Sequence, residues 1–479
     1  MRRTYFIWAL GVLVCAAVAM LLRPSEAGSP EERQAIEEGR TIIVYWDRHS
    51  GHEHAMRAEL IREYNNTQGK TDGVYVRALP IGFFALMEKM LTSIAGGSPP
   101  DVCSIDTSIL MQLATQGCFT PLGEWMKTVP ALQEDRFLRH TWEMVAYEGY
   151  DAAHQNWVDD VWGIPSTTDS YCLLWNKDIF RRAGLDPNTP PKTTQELEEF
   201  AAKLTIRNGA EVTQIGFIPW FPWDISLMWG GMFGGSYYDP ETGLATCGSD
   251  PAVIASLAWQ AKFSIDPNSD NNAPFAVDAT KFQSFEKMGA YQSANNPFYA
   301  GKVAMIVEGE WQATFIPQYA KHLDWGVAPI PQPEGAPPRA YGPACVCDSV
   351  PASAKHKEEA FKFLKWFYSP RPGGGFSPIS DYNFAIHNIP CIREEAMQDR
   401  FMKDPKFSVF VNELLTKPEI VSQPNLPQSQ FYLDEIERGR EFVTMHEKTP
   451  EQSAKDTETR TNEVLEDTYR QMKVLKKAD

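Results

Sequence analysis

Three large aromatic side chains, Trp220, Phe221 and Trp223, crowd into four positions beside Pro219 and Pro222, and the glycine pairs Gly230-Gly231 and Gly234-Gly235 follow. Prolines and glycines spoil both helix and strand here, so Ile218 to Tyr238 reads as a loop whose side chains form a platform, with Trp229 packed beneath it. Such a platform serves recognition. A sugar ring offers an apolar C–H face and an edge of hydroxyls, which aromatic faces and planar polar side chains match in turn.

Covalent chemistry finds less support. The chain has no GxSxG nucleophile elbow, no HExxH metal helix and no GxxxxGK[ST] phosphate loop. Gly373-Gly374-Gly375 follows Pro370-Arg371-Pro372 without a Lys-Ser/Thr pair and reads as a loop. Glycoside hydrolysis needs two carboxyls at a set separation, and no pair stands out among so many acids. Beyond Cys15 the cysteines are Cys103, Cys118, Cys172, Cys247, Cys345, Cys347 and Cys391, scattered without a CxxC pair. Zinc is not expected, an odd count leaves at least one free thiol, and a Cys103–Cys118 disulfide is only permitted. No cofactor or metal is implied.

The elements that must position these residues alternate. Ile42-Ile43-Val44-Tyr45-Trp46 is a short apolar run typical of a buried strand, followed by a loop from Asp47 to His52 and a helical stretch through Tyr64. Val74 to Arg77 and Val102 to Ile105 repeat the pattern, each followed by a helix. Alternating strands and helices predict an α/β fold. With 479 residues the chain is too long for one ordinary core. Its 62 acidic and 45 basic side chains leave a net charge of −17, which repels nucleic acid.

Arg2 and Arg3 precede an apolar run from Phe6 to Leu22, and Ser25-Glu26-Ala27 offers a small-x-small cleavage site. Residues 1–27 therefore read as an export signal, either cleaved or kept as a transmembrane anchor. Residues 28–40 are polar and read as a tether or a frayed helix.

Several segments, in order, resemble the sugar-type extracellular solute-binding proteins of ABC importers, the group that includes maltose-binding protein. They are Ala95-Gly96-Gly97-Ser98-Pro99-Pro100-Asp101-Val102, Trp162-Gly163-Ile164-Pro165, Trp175-Asn176-Lys177-Asp178-Ile179-Phe180, Gly301 to Trp311, and Pro424-Asn425-Leu426-Pro427-Gln428 with Phe431-Tyr432. The resemblance implies a two-domain periplasmic-binding-protein fold with a ligand cleft between the domains and three crossovers, at Ile164–Thr168, Ala304–Glu308 and Tyr341–Val346. It divides the chain into an N-terminal lobe (41–163 plus 308–342), a C-terminal lobe (166–304 plus 345–445) and a terminal helix (446–479).

The same resemblance places Trp46, Asp47, Asp106, Asp169, Glu310, Trp311, Phe431 and Tyr432 at ligand-facing positions beside Trp220, Phe221 and Trp223. Each has a second reading: Trp46 and Trp311 as core, Asp106 as a helix cap, Asp169 as a hinge fixture. The expected function is non-enzymatic. A monomer captures a mono- or oligosaccharide outside the cytoplasm and delivers it to a membrane ABC permease. A secreted carbohydrate-active hydrolase on a similar scaffold is the alternative.

Overall fold

The structure, a computed structural model, describes residues 28–209, 211–223, 225–282 and 293–478. The export segment at 1–27 lies outside the described residues. In chain order, the strands of the two main sheets are β1 (Thr41–Asp47), β2 (Val74–Pro80), β3 (Val102–Asp106), β4 (Ile164–Thr168), β5 (Tyr171–Asn176), β6 (Met305–Gly309), β7 (Trp325–Ala328), β8 (Cys345–Ser349) and β9 (Ile389–Pro390).

The first sheet has six strands in the order β9-β4-β8-β3-β1-β2. β1 runs parallel to β2 and β3, because the helices Gly51–Asn66 and Phe83–Ala95 carry the chain back between them. β8 enters antiparallel between β3 and β4. The second sheet, β6-β5-β7, is antiparallel throughout. Every residue of β4, β5 and β6 is buried; β5 and β6 accordingly read as nearly continuous apolar runs instead of an alternation, whereas β4 also buries Ser166, Thr167 and Thr168.

Two large hydrophobic clusters surround these sheets. One gathers residues from Ile43 to Ile164 and again from Cys345 to Ile392. The other gathers Tyr171 to Tyr341, Ile389, and Ala396 to Leu465. Between them the chain passes at 169–170, at 342–344 and after Ile392.

This partition corrects the boundaries read from sequence. Residues 308–342 pack with the second cluster, and Cys345–Ile392 with the first. The expected crossover at Ala304–Glu308 is instead β6, which pairs without a break from Met305↔Trp175 to Gly309↔Tyr171. An unbroken buried ladder inside one sheet leaves nothing there to cross over.

Residues 28–40, read from sequence as a tether or a frayed helix, are helical over most of their length. Pro30–Glu37 is a helix capped by the Ser29 side chain, with Ala35 buried. Buried Glu32 pairs with Arg77 on β2 at 3.1 Å. The Ile218–Tyr238 loop contains a short helix, Ser226–Met232, buried along its whole length.

The terminal helix, Pro450–Ala478, buries Ala454, Thr457, Thr461 and Leu465 at helical spacing. It lies against the helix Ser429–Thr444, where a Cβ on Gly439 would stand 2.7 Å from Thr457 Oγ1. Glycine there permits the close approach. Among the described residues, no helix is long and apolar enough to cross a membrane.

Candidate ligand site

The loop leaving β1 is fixed by a buried ionic network. Asp47 accepts from the His49 backbone N–H at 3.0 Å, contacts His49 Nδ1 at 3.2 Å and His54 Nδ1 at 2.9 Å, and lies 3.6 Å from Arg57 Nε. Burial works against this carboxylate, but Arg57 and the two histidines outweigh it and hold its pKa below the ordinary range. Arg57 is itself fully buried, close to Asp348 and 4.2 Å from the centre of the Tyr382 ring. Asp47, expected to meet ligand, is therefore a buried structural anion. Trp46 packs half-buried against the first cluster.

The next residue, Arg48, points elsewhere. Its Nη1 donates to Asp106 Oδ2 at 3.1 Å, while Asp106 Oδ1 accepts from Ser108 N and caps the helix Thr107–Thr115. Asp106 thus caps a helix with one oxygen, as its second reading had it, and pairs with Arg48 through the other.

The charge of Arg48 also reaches Asp169, in the first passage between the clusters. Asn388 Nδ2 donates to Asp169 Oδ1 at 3.3 Å and to Glu310 Oε1 at 3.1 Å, and the Ser170 N–H donates to Glu310 Oε2 at 2.9 Å. Burial, with Asp106 and Glu53 nearby, pushes Asp169 up to about 7 despite Arg48 and Asn388. Burial and the Asp169 charge likewise raise Glu310 well above the ordinary value. Glu310, expected as an acceptor for ligand hydroxyls, is fully buried, and both its oxygens serve this junction.

The aromatic candidates divide. Trp223 is 37% exposed, and its Nε1 donates to Glu308 Oε1 at 2.6 Å. The other Glu308 oxygen accepts from Gln312 Nε2, also at 2.6 Å. Trp311 is half-buried, edge-on to Tyr171 with ring centres 5.4 Å apart, and Tyr171 meets Tyr341 at 5.3 Å. A Cβ on Gly309 would stand 2.3 Å from Trp311 Cη2, so only glycine lets this ring fold back over its own strand.

Trp220, Phe221 and Tyr432 are buried members of the second cluster, and Phe431 is half-buried on the helix Ser429–Thr444. Arg440 lies 5.4 Å from the Trp220 ring, and the Tyr432 hydroxyl donates to the Tyr237 carbonyl. Of the three aromatics expected to form a platform, only Trp223 is exposed, whereas Trp220 and Phe221 turn inward to fill the core.

The structure thus brings together Asp106, Asp169, Glu310, Trp311 and Trp223, linked through Arg48, Asn388, Tyr171 and Glu308. Sequence reasoning missed these last four. Glu308 did carry a signal, as the one carboxylate in the buried strand Met305-Ile306-Val307-Glu308-Gly309. Asn388 carried none, since nothing in its neighbourhood marks a junction.

The description of bacterial extracellular solute-binding proteins fits residues 56–373. The chain belongs to that family. Its members are binding proteins that act outside the cytoplasm. The sn-glycerol-3-phosphate-binding periplasmic protein UgpB of Salmonella paratyphi A is 26% identical over 319 residues, covering 63% of this chain and 66% of the relative. The solved structure of CpMnBP1 with mannotriose bound is similar with a TM-score of 0.74 and 29% identity, over 88% of this chain and 99% of that one. The sugar-binding protein MalE of Xanthomonas citri matches at TM-score 0.69 and 18% identity, over 90% and 99%, and shows the shared two-domain fold. Among the described residues no cluster of His, Cys, Asp and Glu is arranged to hold a metal.

Proposed function

We propose that this protein is the extracytoplasmic substrate-binding component of an ABC importer, and that it captures a carbohydrate and hands it to a membrane permease. One lobe comprises 30–168 and 345–392, the other 171–341 and 396–478, and ligand sits between them where the chain passes across. The observation that carries the reading is the half-exposed Trp223, held by Glu308 beside the junction of Asp106, Asp169 and Glu310. An aromatic face next to convergent carboxylates suits a ring with apolar faces and hydroxyl edges.

The likeness to a mannotriose-bound protein favours an oligosaccharide. The gathered carboxyl groups also favour a neutral ligand: Asp106, Asp169, Glu308 and Glu310 meet at this junction, and Arg48 is already paired with Asp106. A phosphate would be repelled. Contacts made to both lobes only when ligand is present would drive hinge closure, and the permease would read the closed monomer. Residues 1–27 supply the export signal.

Thermal melts of the protein from residue 28 onward, against sugars, polyols and sn-glycerol 3-phosphate, test this. Ligand at 100 times its Kd adds about 2.7 kcal/mol and raises the midpoint. A rise with a neutral oligosaccharide recovered intact supports the proposal. A rise only with the phosphate, or cleavage of the glycan, overturns it.

A further inference from the structure

Gln312 opens the helix Gln312–Tyr319 and is 1% exposed, an uncommon setting for an amide. The two ends of that amide make different bonds. The Tyr299 hydroxyl donates to Gln312 Oε1 at 2.5 Å, and Gln312 Nε2 donates to Glu308 Oε2 at 2.6 Å. The other oxygen of Glu308 accepts from Trp223 Nε1. Tyr299, Gln312, Glu308 and Trp223 therefore form one hydrogen-bonded row that starts at a tyrosine in the second cluster and ends on a half-exposed indole.

The row has a direction. A phenol facing a carbonyl oxygen donates its proton, so Tyr299 turns the oxygen of the Gln312 amide toward itself and the NH2 toward Glu308. Each member is also held by its own backbone. The segment after Tyr299 is tied to the chain leading into the Trp223 loop: the Ile215 N–H donates to the Lys302 carbonyl at 2.8 Å, the Ala304 N–H to the Ile215 carbonyl at 2.9 Å and the Met305 N–H to the Gly216 carbonyl at 3.0 Å. Glu308 stands in β6 opposite Cys172 of β5. Gln312 directly follows Trp311, whose carbonyl accepts from the Phe315 N–H at 3.1 Å. The amide that meets Glu308 thus sits beside the second half-buried ring of the site.

Packing alone does not call for such a row. Burying an amide and a carboxyl group costs free energy unless both are paired, and an aliphatic side chain at 312 with a phenyl ring at 299 would fill the same space without that demand. What the polar row adds is a fixed acceptor for the Trp223 indole. We infer that Tyr299 and Gln312 are positioning residues of the carbohydrate site, setting the plane of the Trp223 ring through Glu308. Both are buried, so they act through Glu308 and not by touching the sugar. The inference rests on the reading of Trp223 as the stacking surface.

The test is a pair of readouts on the exported protein labelled with 15N-tryptophan. The first is the indole N–H signal of Trp223 without ligand, identified by its absence in W223F. A short hydrogen bond places it at low field, and Q312L and Y299F should both move it upfield, Q312L further. The second is titration with mannotriose. Q312L should weaken binding roughly five-fold, and Y299F less. In the W223A background Q312L should add almost no further loss, because the ring it positions is gone. Y299F removes one oxygen and keeps its ring, so it carries the test where Q312L does not fold. An indole signal unmoved in both variants overturns the inference, and that result does not depend on which sugar binds. A Q312L loss of the same size with and without Trp223 overturns it as well. Wild-type affinity in W223A refutes the reading of Trp223 itself, whereas weak binding by W223A with wild-type affinity in Q312L refutes only the positioning role.

Discussion

The Trp223 indole N–H donates to Glu308 Oε1 over 2.6 Å, tying a half-exposed aromatic on an irregular loop to a buried carboxylate in the middle of β6. A short hydrogen bond to a buried carboxyl group fixes the ring plane, and a fixed plane is what stacking on a sugar requires. Replacing Trp223 by Ala is expected to weaken oligosaccharide binding roughly ten-fold by calorimetry, the equivalent of about 1.4 kcal/mol. The free protein should melt almost unchanged, because the lost ring is a partly exposed one. An unchanged Kd would remove Trp223 from the site.

Asp47 answers a different question. Its carboxylate lies 3.6 Å from the fully buried Arg57, with Asp348 at 3.7 Å, so Asp47→Ala removes one of the two acidic groups that flank this cation in the core. Breaking a buried pair from one side costs about 3–5 kcal/mol, and urea unfolding should show that loss. The pH dependence has a definite sign. The folded pKa is depressed, so this stabilisation is present above the ordinary carboxylate value and is lost as pH falls through and below it. The wild type should therefore lose urea resistance on acidification from about pH 5 downward more steeply than Asp47→Ala does.

Asp169 titrates with the opposite sign. An unfolded aspartate releases its proton at about pH 4, whereas Asp169 in the fold holds its proton up to about 7. Between those values the unfolded state binds fewer protons, so stability falls as pH rises through the window and levels off above it. Asp169→Asn should flatten the urea midpoint between about pH 5 and pH 8 and raise it at the upper end. A variant as pH-dependent as the wild type across that range would show that Asp169 ionises like an exposed carboxylate.

Tyr432 was expected at the cleft, and the structure buries it with its hydroxyl donating to the Tyr237 carbonyl. Tyr432→Phe should cost about 1 kcal/mol of stability in urea and leave ligand affinity unchanged. A selective loss of affinity would return it to the site.

These residues show what was legible in advance. Strands that are apolar throughout announced themselves, as did the glycine and proline signals between them, so the α/β architecture and the order of its elements could be read directly. Lobe assignment could not. β6 and β4 are both short and fully buried, and only register tells that β6 stays within one sheet whereas the chain leaves its sheet after β4. For the site, residue type selected Trp220, Phe221 and Trp223 equally, because nothing local says which ring of a proline-rich loop turns inward. Asp47 and Arg48 are adjacent, yet one closes a core network and the other faces Asp106, a choice made by Arg57 and Asp106 from distant segments.

The central claim is capture of a neutral carbohydrate without turnover. Isothermal titration of the protein from residue 28 onward with mannotriose, and in parallel with sn-glycerol 3-phosphate, tests it most directly. The account predicts saturable one-to-one binding of the oligosaccharide, recovered unchanged afterwards, with no heat from the phosphate. Binding of the phosphate with no response to mannotriose or other neutral oligosaccharides would contradict it.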